Sequence, residues 1–226
     1  MIDYKNVPFY ANNVVLEPIS DWASDDDMAD FIPGLLADLT LNEKVYALPM
    51  NRSTQGLYYN KDLFATAGLD PEQPPETWDE VREYGQTISA LGDEYNGTYG
   101  TGNMQWYFEP FVYEFGGEFS DADCNFTFND EYGVAAATYL QDLVHKDGAA
   151  IIPANLSGPF DQQMSEFVQG NIGMIRQSTA VNGFISTVVD FDWGFTMFPA
   201  GPAGRAVTGG GANVAIGSHA TEDQKA

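Results

Sequence analysis

Residues 46–81 read YALPMNRSTQGLYYNKDLFATAGLDPEQPPETWDEV, and this stretch fixes a strand, a polar crossover, a second strand and a capped helix in one order. The apolar run at 45–50 predicts a buried-type strand, and the residues at 57–59 predict another. Between them lies Asn51-Arg52-Ser53-Thr54. Asn60 is placed to cap a short helix that stops at Gly68, since Asn accepts from free amides at a helix start and Gly takes the left-handed conformation at its end. After the proline-rich link DPEQPP, Thr77-Trp78-Asp79-Glu80 forms a capping box, in which the Thr77 hydroxyl and the Glu80 carboxylate satisfy free amides reciprocally. Trp78, Val81, Tyr84, Ile88 and Leu91 then recur at helical spacing and predict a buried stripe.

The alternation continues along the chain. Helices are predicted over 107–116, 130–146, 161–169 and 180–188, and strands over 172–176 and 193–198, which gives an α/β architecture. In the 130–146 helix Val134, Leu140, Leu143 and Val144 are expected to face inward, with Gly148 as the stop. Near the start, residues 14–22 read as a short strand or turn. The acidic run at 25–27 opens a helix there, with Met28, Phe31, Leu35 and Leu36 at helical spacing and the aspartates at the positive end of its dipole.

Composition narrows the function. Nine basic against 33 acidic side chains give a formal charge of −24, which argues against nucleic acid, because a phosphate backbone needs a basic face. At 44% hydrophobic and 14% aromatic the chain can bury a substantial core, so the acid excess is not a signature of disorder. Such a surface suits a protein kept folded in high salt, where repulsion between charges is screened within about 3 Å at 1 M, and a halophilic origin is expected. Cys124 stands alone and the only histidines are His145 and His219. No nucleophile-base arrangement, metal set or cofactor motif can be assembled, so no catalytic, metal or cofactor residue is assigned. Glu109, Glu114 and Glu118 could pair as in a glycosidase, although paired carboxylates are expected in so acidic a chain without function. A carbohydrate-active enzyme and a structural surface protein stay open as alternatives to a binding protein.

Polar breaks in apolar segments mark candidate ligand contacts. Asn51, Arg52 and Ser53 form the first. Gln105 and Trp106 open an aromatic segment, where an aromatic face can stack on the C–H face of a sugar or polyol while neighbouring amides take its hydroxyls. Ser178 and Thr179 follow the strand residues IGMIRQ and begin a helix, whose free amides and hydroxyls suit an anionic or hydroxylated ligand. Gly210 and Gly211 lie in a glycine run that lets backbone approach a ligand closely and change its dihedrals at a hinge. Arg52 and Arg176 are candidates to hold a phosphate, because a guanidinium offers paired hydrogen bonds.

The 46–81 segment resembles the extracellular solute-binding proteins of ABC importers, in the sugar-binding group, and NRSTQGLYYNKDLFATAGLDPEQPPETW is closest to its glycerol-3-phosphate-binding branch. The resemblance implies an α/β fold of the periplasmic-binding-protein type, with two lobes and a hinge. It implies an incomplete chain matching the middle of a family about four hundred residues long. Residues 1–52 and 211–226 would form part of one lobe and 53–210 the other. Also implied are a sugar, polyol or glycerol-3-phosphate-type solute in the cleft between lobes, a membrane permease as partner, and an extracellular or cell-surface location with an anchor outside this sequence. On the same ground Ser53, Trp106 and Gly211 fall on ligand-contacting positions, and Ser178 on a phosphate-contacting one. Asn103 departs from the glycerol-3-phosphate branch, which carries tryptophan there; that favours a neutral sugar or another polyol.

Overall fold

The computed structural model describes residues 1–100, 105–121, 123, 125–152 and 162–225. Cys124 and Asn103 therefore lie outside the described residues, as does the first residue of the helix expected at 161–169. The chain divides into two compact units, Met1–Ser53 with Gly209–Ala226, and Thr54–Thr208. Ser53, Gly209 and Gly210, expected in the second, group with the first. The longer strands are β1 (Ala47–Ser53), β2 (Gln55–Asn60), β3 (Met174–Ser178), β4 (Trp193–Thr196) and β5 (Gly210–Gly217). The longer helices are α1 (Trp78–Ser89), α2 (Gln105–Glu114) and α3 (Glu131–His145).

In the first unit β5 is the central strand, antiparallel to β1, to Ile2–Asp3 and to Leu16–Glu17. The fully buried apolar residues in its main cluster are Val7, Leu39 and Ala47, packed with half-buried Ile2, Tyr4, Leu16, Val45, Tyr46 and Ala215. That small cluster corrects the expectation of a buried-type strand at 45–50. Along β1 only Ala47 is buried, and Met50 is 51% exposed. The helix expected from 25 onward is also corrected, into two short helices, Asp25–Ala29 and Pro33–Ala37. Ile32 is extended at φ −61°, ψ 121° ahead of Pro33, because the proline ring excludes the helical region for the residue before it. The acidic first turn forms as expected, with Ser24 and Asp27 closing a capping box.

In the second unit β2 lies between β4 and β3, antiparallel to both, and every residue of it is buried. Alternation along the strands separates two cores. Leu57, Tyr59 and Met174 join Trp78, Val81, Phe111, Tyr139, Leu143 and Phe198. Tyr58 and Ile175 join Met164, Phe167, Val181 and Ile185. A strand covered on both faces has to be apolar along its length, which is why LYY runs without a polar break.

The local signals hold where they are strongest. Asn60 Oδ1 accepts from Leu63 N at 2.9 Å, and the short helix Lys61–Thr66 is followed by Gly68 at φ 78°. Thr77 and Glu80 close the capping box of α1. In α3 the inward residues are Ala136, Tyr139, Leu140 and Leu143. Val134 is 57% exposed, two residues off that stripe, a correction that follows from the 3.6-residue period.

Candidate functional site

The predicted contacts fall into two groups, one in each unit. In the first, β1 and β5 pair Ser53 with Gly210, Arg52 with Gly211 and Asn51 with Ala212. The residues read as a polar crossover are thus the end of a strand, and the glycines are strand residues too. Gly211 has φ 147°, and a Cβ there would collide with the Asn51 carbonyl oxygen, so only glycine allows this approach. Beside it the ladder slips by one position between Ala212 and Asn213, and Asn51 Oδ1 accepts from Ala212 N at 2.9 Å. Arg52 gives Nη1 to Asn213 Oδ1 at 2.9 Å and Nη2 to the Leu35 carbonyl at 3.3 Å, and its guanidinium lies 5.3 Å from the Tyr4 ring centroid. Asn213 is itself fully buried and donates to the Ile2 carbonyl. Arg52 therefore binds the first unit's own sheet, the short helix Pro33–Ala37 and the turn at Tyr4–Asn6 together.

In the second unit the group gathers at one end of the β2–β3 ladder. Gln55 pairs with Ser178, and beyond them Thr179 N donates to the Thr54 carbonyl at 2.9 Å while Thr54 N donates to Thr179 Oγ1 at 3.1 Å. Ser178 caps the turn Thr179–Val181, accepting from Ala180 N at 3.1 Å, and its carbonyl accepts from the Tyr58 hydroxyl. Gln105 and Trp106 open α2. Gln105 is exposed and donates to Glu109, while Trp106 is half-buried, edge-on to the buried ring of Tyr107 at 5.1 Å. The Trp106 carbonyl accepts from Gln55 Nε2 at 2.6 Å and from Thr208 Oγ1 at 2.9 Å. Trp106, Ser178 and Thr179 are thereby brought to one sheet end. There Gln55 Oε1 and Thr54 Oγ1 are buried acceptors with no partner among the described residues. Sequence reasoning passed over Gln55, whose signal was a glutamine heading an otherwise apolar strand.

Arg176 lies elsewhere. It pairs with Leu57 across the ladder and shares its inward face, so its guanidinium packs over Phe111, Trp78 and Tyr107, with centroids 5.0, 5.7 and 5.9 Å away. Burial pushes its pKa down to about 10, and the charge of Glu114 opposes that shift. This corrects the expectation that Arg176 holds a phosphate. Glu114 is buried as well. Its Oε2 accepts from Trp78 Nε1 at 2.7 Å and its Oε1 from Ala206 N at 3.2 Å. Burial pushes its carboxyl up to about 7 against those hydrogen bonds and the charges of Arg176 and Arg205. Glu114 is committed to the core, while Glu118 is exposed, and His145 and His219 are exposed. Among the described residues no three His, Cys, Asp or Glu side chains cluster to hold a metal ion, and no helix is long and apolar enough to cross a membrane.

Each of the two units carries polar side chains at strand ends, and the second adds the aromatic Trp106. The bacterial extracellular solute-binding protein family matches the chain over residues 1–226, and the chain belongs to that family. It is 30% identical over 194 residues to the sn-glycerol-3-phosphate-binding periplasmic protein UgpB of Salmonella paratyphi A, covering 82% of this chain and 43% of that protein. UgpB from Mycobacterium tuberculosis, solved with glycerophosphocholine, superposes with a TM-score of 0.86 at 29% identity, over 99% of this chain and 56% of that one. The GacH receptor of Streptomyces glaucescens, solved unliganded and with acarbose, gives 0.85 at 26% identity, over 99% and 57%. The chain thus has the periplasmic solute-binding fold and spans about half the length of the relatives it matches.

Proposed function

We propose that the protein is the substrate-binding component of an ABC importer, which captures a sugar, polyol or glycerophosphate-type solute outside the cytoplasmic membrane and passes it to a membrane permease. The observation that carries this reading is the half-buried Trp106, whose carbonyl is held by Gln55, the ladder partner of Ser178, at a sheet end where Gln55 Oε1 and Thr54 Oγ1 have no partner among the described residues. An aromatic face with hydroxyls and amides around it is the chemistry that recognises a polyol. In the second unit the contacts are Gln105, Trp106, Ser178 and Thr179. In the first they are Asn51, Arg52, Ser53, Gly210 and Gly211. The protein binds its solute and does not transform it.

Arg176 is buried under aromatic rings, so in the second unit a phosphate would be met by Ser178 and backbone amides, while Arg52 in the first gives one hydrogen bond each to Asn213 and Leu35. Calorimetric titration of the intact protein with glycerol-3-phosphate, glycerophosphocholine and maltose tests the reading. One of the three binds saturably at a single site. If the ligand is phosphorylated, Ser178→Ala weakens it about tenfold, the scale of a lost charge-assisted hydrogen bond; a neutral sugar loses less. Absence of binding to all three contradicts the assignment of solute class.

We read the −24 charge as an adaptation to high salt. The midpoint of thermal unfolding should rise as salt increases from about 0.1 M to about 1 M, because counterions screen the mutual repulsion of surface carboxylates. An unchanged midpoint contradicts a halophilic origin.

A further inference from the structure

Proline 110 lies inside α2. Proline has no amide hydrogen, so the carbonyl four residues earlier loses its regular helical partner. That carbonyl belongs to Trp106. It is the one that Gln55 Nε2 and Thr208 Oγ1 reach, at 2.6 and 2.9 Å. Both donors are almost completely buried, at 3% and 7% exposure, and Pro110 is buried with them. Gln55 is the second residue of its unit and Thr208 the last, so both ends of the unit's chain close on one backbone oxygen. We propose that Gln55, Thr208 and Pro110 are positioning residues that fix the Trp106 ring for stacking on the solute, by replacing one helical hydrogen bond with two side-chain hydrogen bonds.

The geometry explains features that packing alone does not require. A glutamine heads a buried strand and is followed by Gly56 and the apolar Leu57, Tyr58 and Tyr59, and a buried threonine ends a segment that continues into glycines. Each satisfies a backbone acceptor that the proline has freed, and a buried acceptor left without a donor is costly. With two donors converging, the first turn of α2 cannot roll about its axis without breaking one of them, and Trp106 stands in that turn. Among the described residues Gln55 Oε1 has no partner, and it lies on the same side of the sheet as its ladder partner Ser178. That the ring so held stacks on a solute rests on the function proposed above; the tether itself rests on the hydrogen bonds alone.

The test has two arms. In the first, the intact protein is labelled with 5-fluorotryptophan, and the Trp106 fluorine resonance is assigned by its loss in Trp106→Phe. Thr208→Val removes the donor while keeping the shape, and should shift or split that resonance without moving those of Trp22 and Trp193. Thr208→Ser keeps the hydroxyl and should restore it. Pro110→Ala returns a competing amide and should also move it. A Trp106 signal identical in wild type, Thr208→Val and Gln55→Met overturns the tether, whether or not any solute binds. In the second arm, maltose and glycerophosphocholine are titrated into the same variants. Thr208→Val should weaken the bound probe about fivefold, the equivalent of one hydrogen bond, with Thr208→Ser within about twofold of wild type. On a Trp106→Ala background Thr208→Val should change affinity no further. An equal loss on both backgrounds shows that Thr208 acts on affinity other than through Trp106 and overturns the positioning role. Failure of wild type to bind either probe, with the fluorine result intact, counts against the solute class and leaves the tether standing.

Discussion

Glu114→Ala lowers the stability of the Thr54–Thr208 unit by about 3–5 kcal/mol near neutral pH. The carboxyl is 1% exposed and accepts from Trp78 Nε1 and Ala206 N. Its charge also supports Arg176, which is enclosed among Phe111, Trp78 and Tyr107. Removing it strands two donors and a buried cation together. Glu114→Gln keeps the shape but presents an NH₂ where both neighbours are donors, so it costs about 1–3 kcal/mol. The pH dependence has a definite sign. The folded carboxyl is raised from its ordinary 4.5 to about 7 by burial, so the stability linked to its protonation is fully present below about pH 4.5 and is lost as pH rises through about 7. The penalty of Glu114→Gln is therefore greatest near pH 5 and shrinks towards pH 8. Denaturant unfolding at those two values checks it, and a penalty that grows with pH contradicts the buried arrangement.

Trp106→Ala weakens solute binding by about 1–3 kcal/mol, the scale of a lost aromatic contact and its buried area. The indole is half-buried and touches Tyr107 edge-on, outside the Trp78–Phe111–Tyr139 core, so the unit remains folded without it. Calorimetry together with a circular-dichroism melt separates the outcomes. A variant that unfolds while its folded fraction binds normally makes Trp106 a packing residue.

The elements legible in the sequence were those whose signal is local. Asn60, Thr77 and Glu80 cap helices with side chains a few residues from the amides they serve, and Gly68 takes a positive φ that its neighbours cannot. The apolar residues 57–59 announced a strand, which the structure extends to Gln55–Asn60 and buries along its whole length. The misreadings came from partners distant in sequence. Arg176 looked like a free cation at a strand end, yet its register opposite Leu57 turns it into the core. The Asn51–Ser53 run read as a polar segment between two strands, but pairing with β5, more than 150 residues away, makes it the end of β1, with the boundary between the units directly after Ser53. At the candidate site Trp106, Ser178 and Thr179 could be singled out by type. The role of Gln55 could not, since it depends on a carbonyl that Pro110 frees 51 residues further on. Met28, Phe31 and Leu35 kept helical spacing across a proline that breaks the helix, a case where Pro33 outweighs periodicity.

The central claim is that this protein holds a small solute and returns it unchanged. Equilibrium dialysis of the intact protein against labelled glycerol-3-phosphate, glycerophosphocholine and maltose tests it directly when the recovered compound is analysed as well as the bound amount. The account predicts saturation at one solute per chain for one of them, weakened by Trp106→Ala, with the compound recovered intact. Hydrolysis of the recovered compound, abolished by Glu109→Gln in a variant that stays folded, would contradict it and make the protein an enzyme.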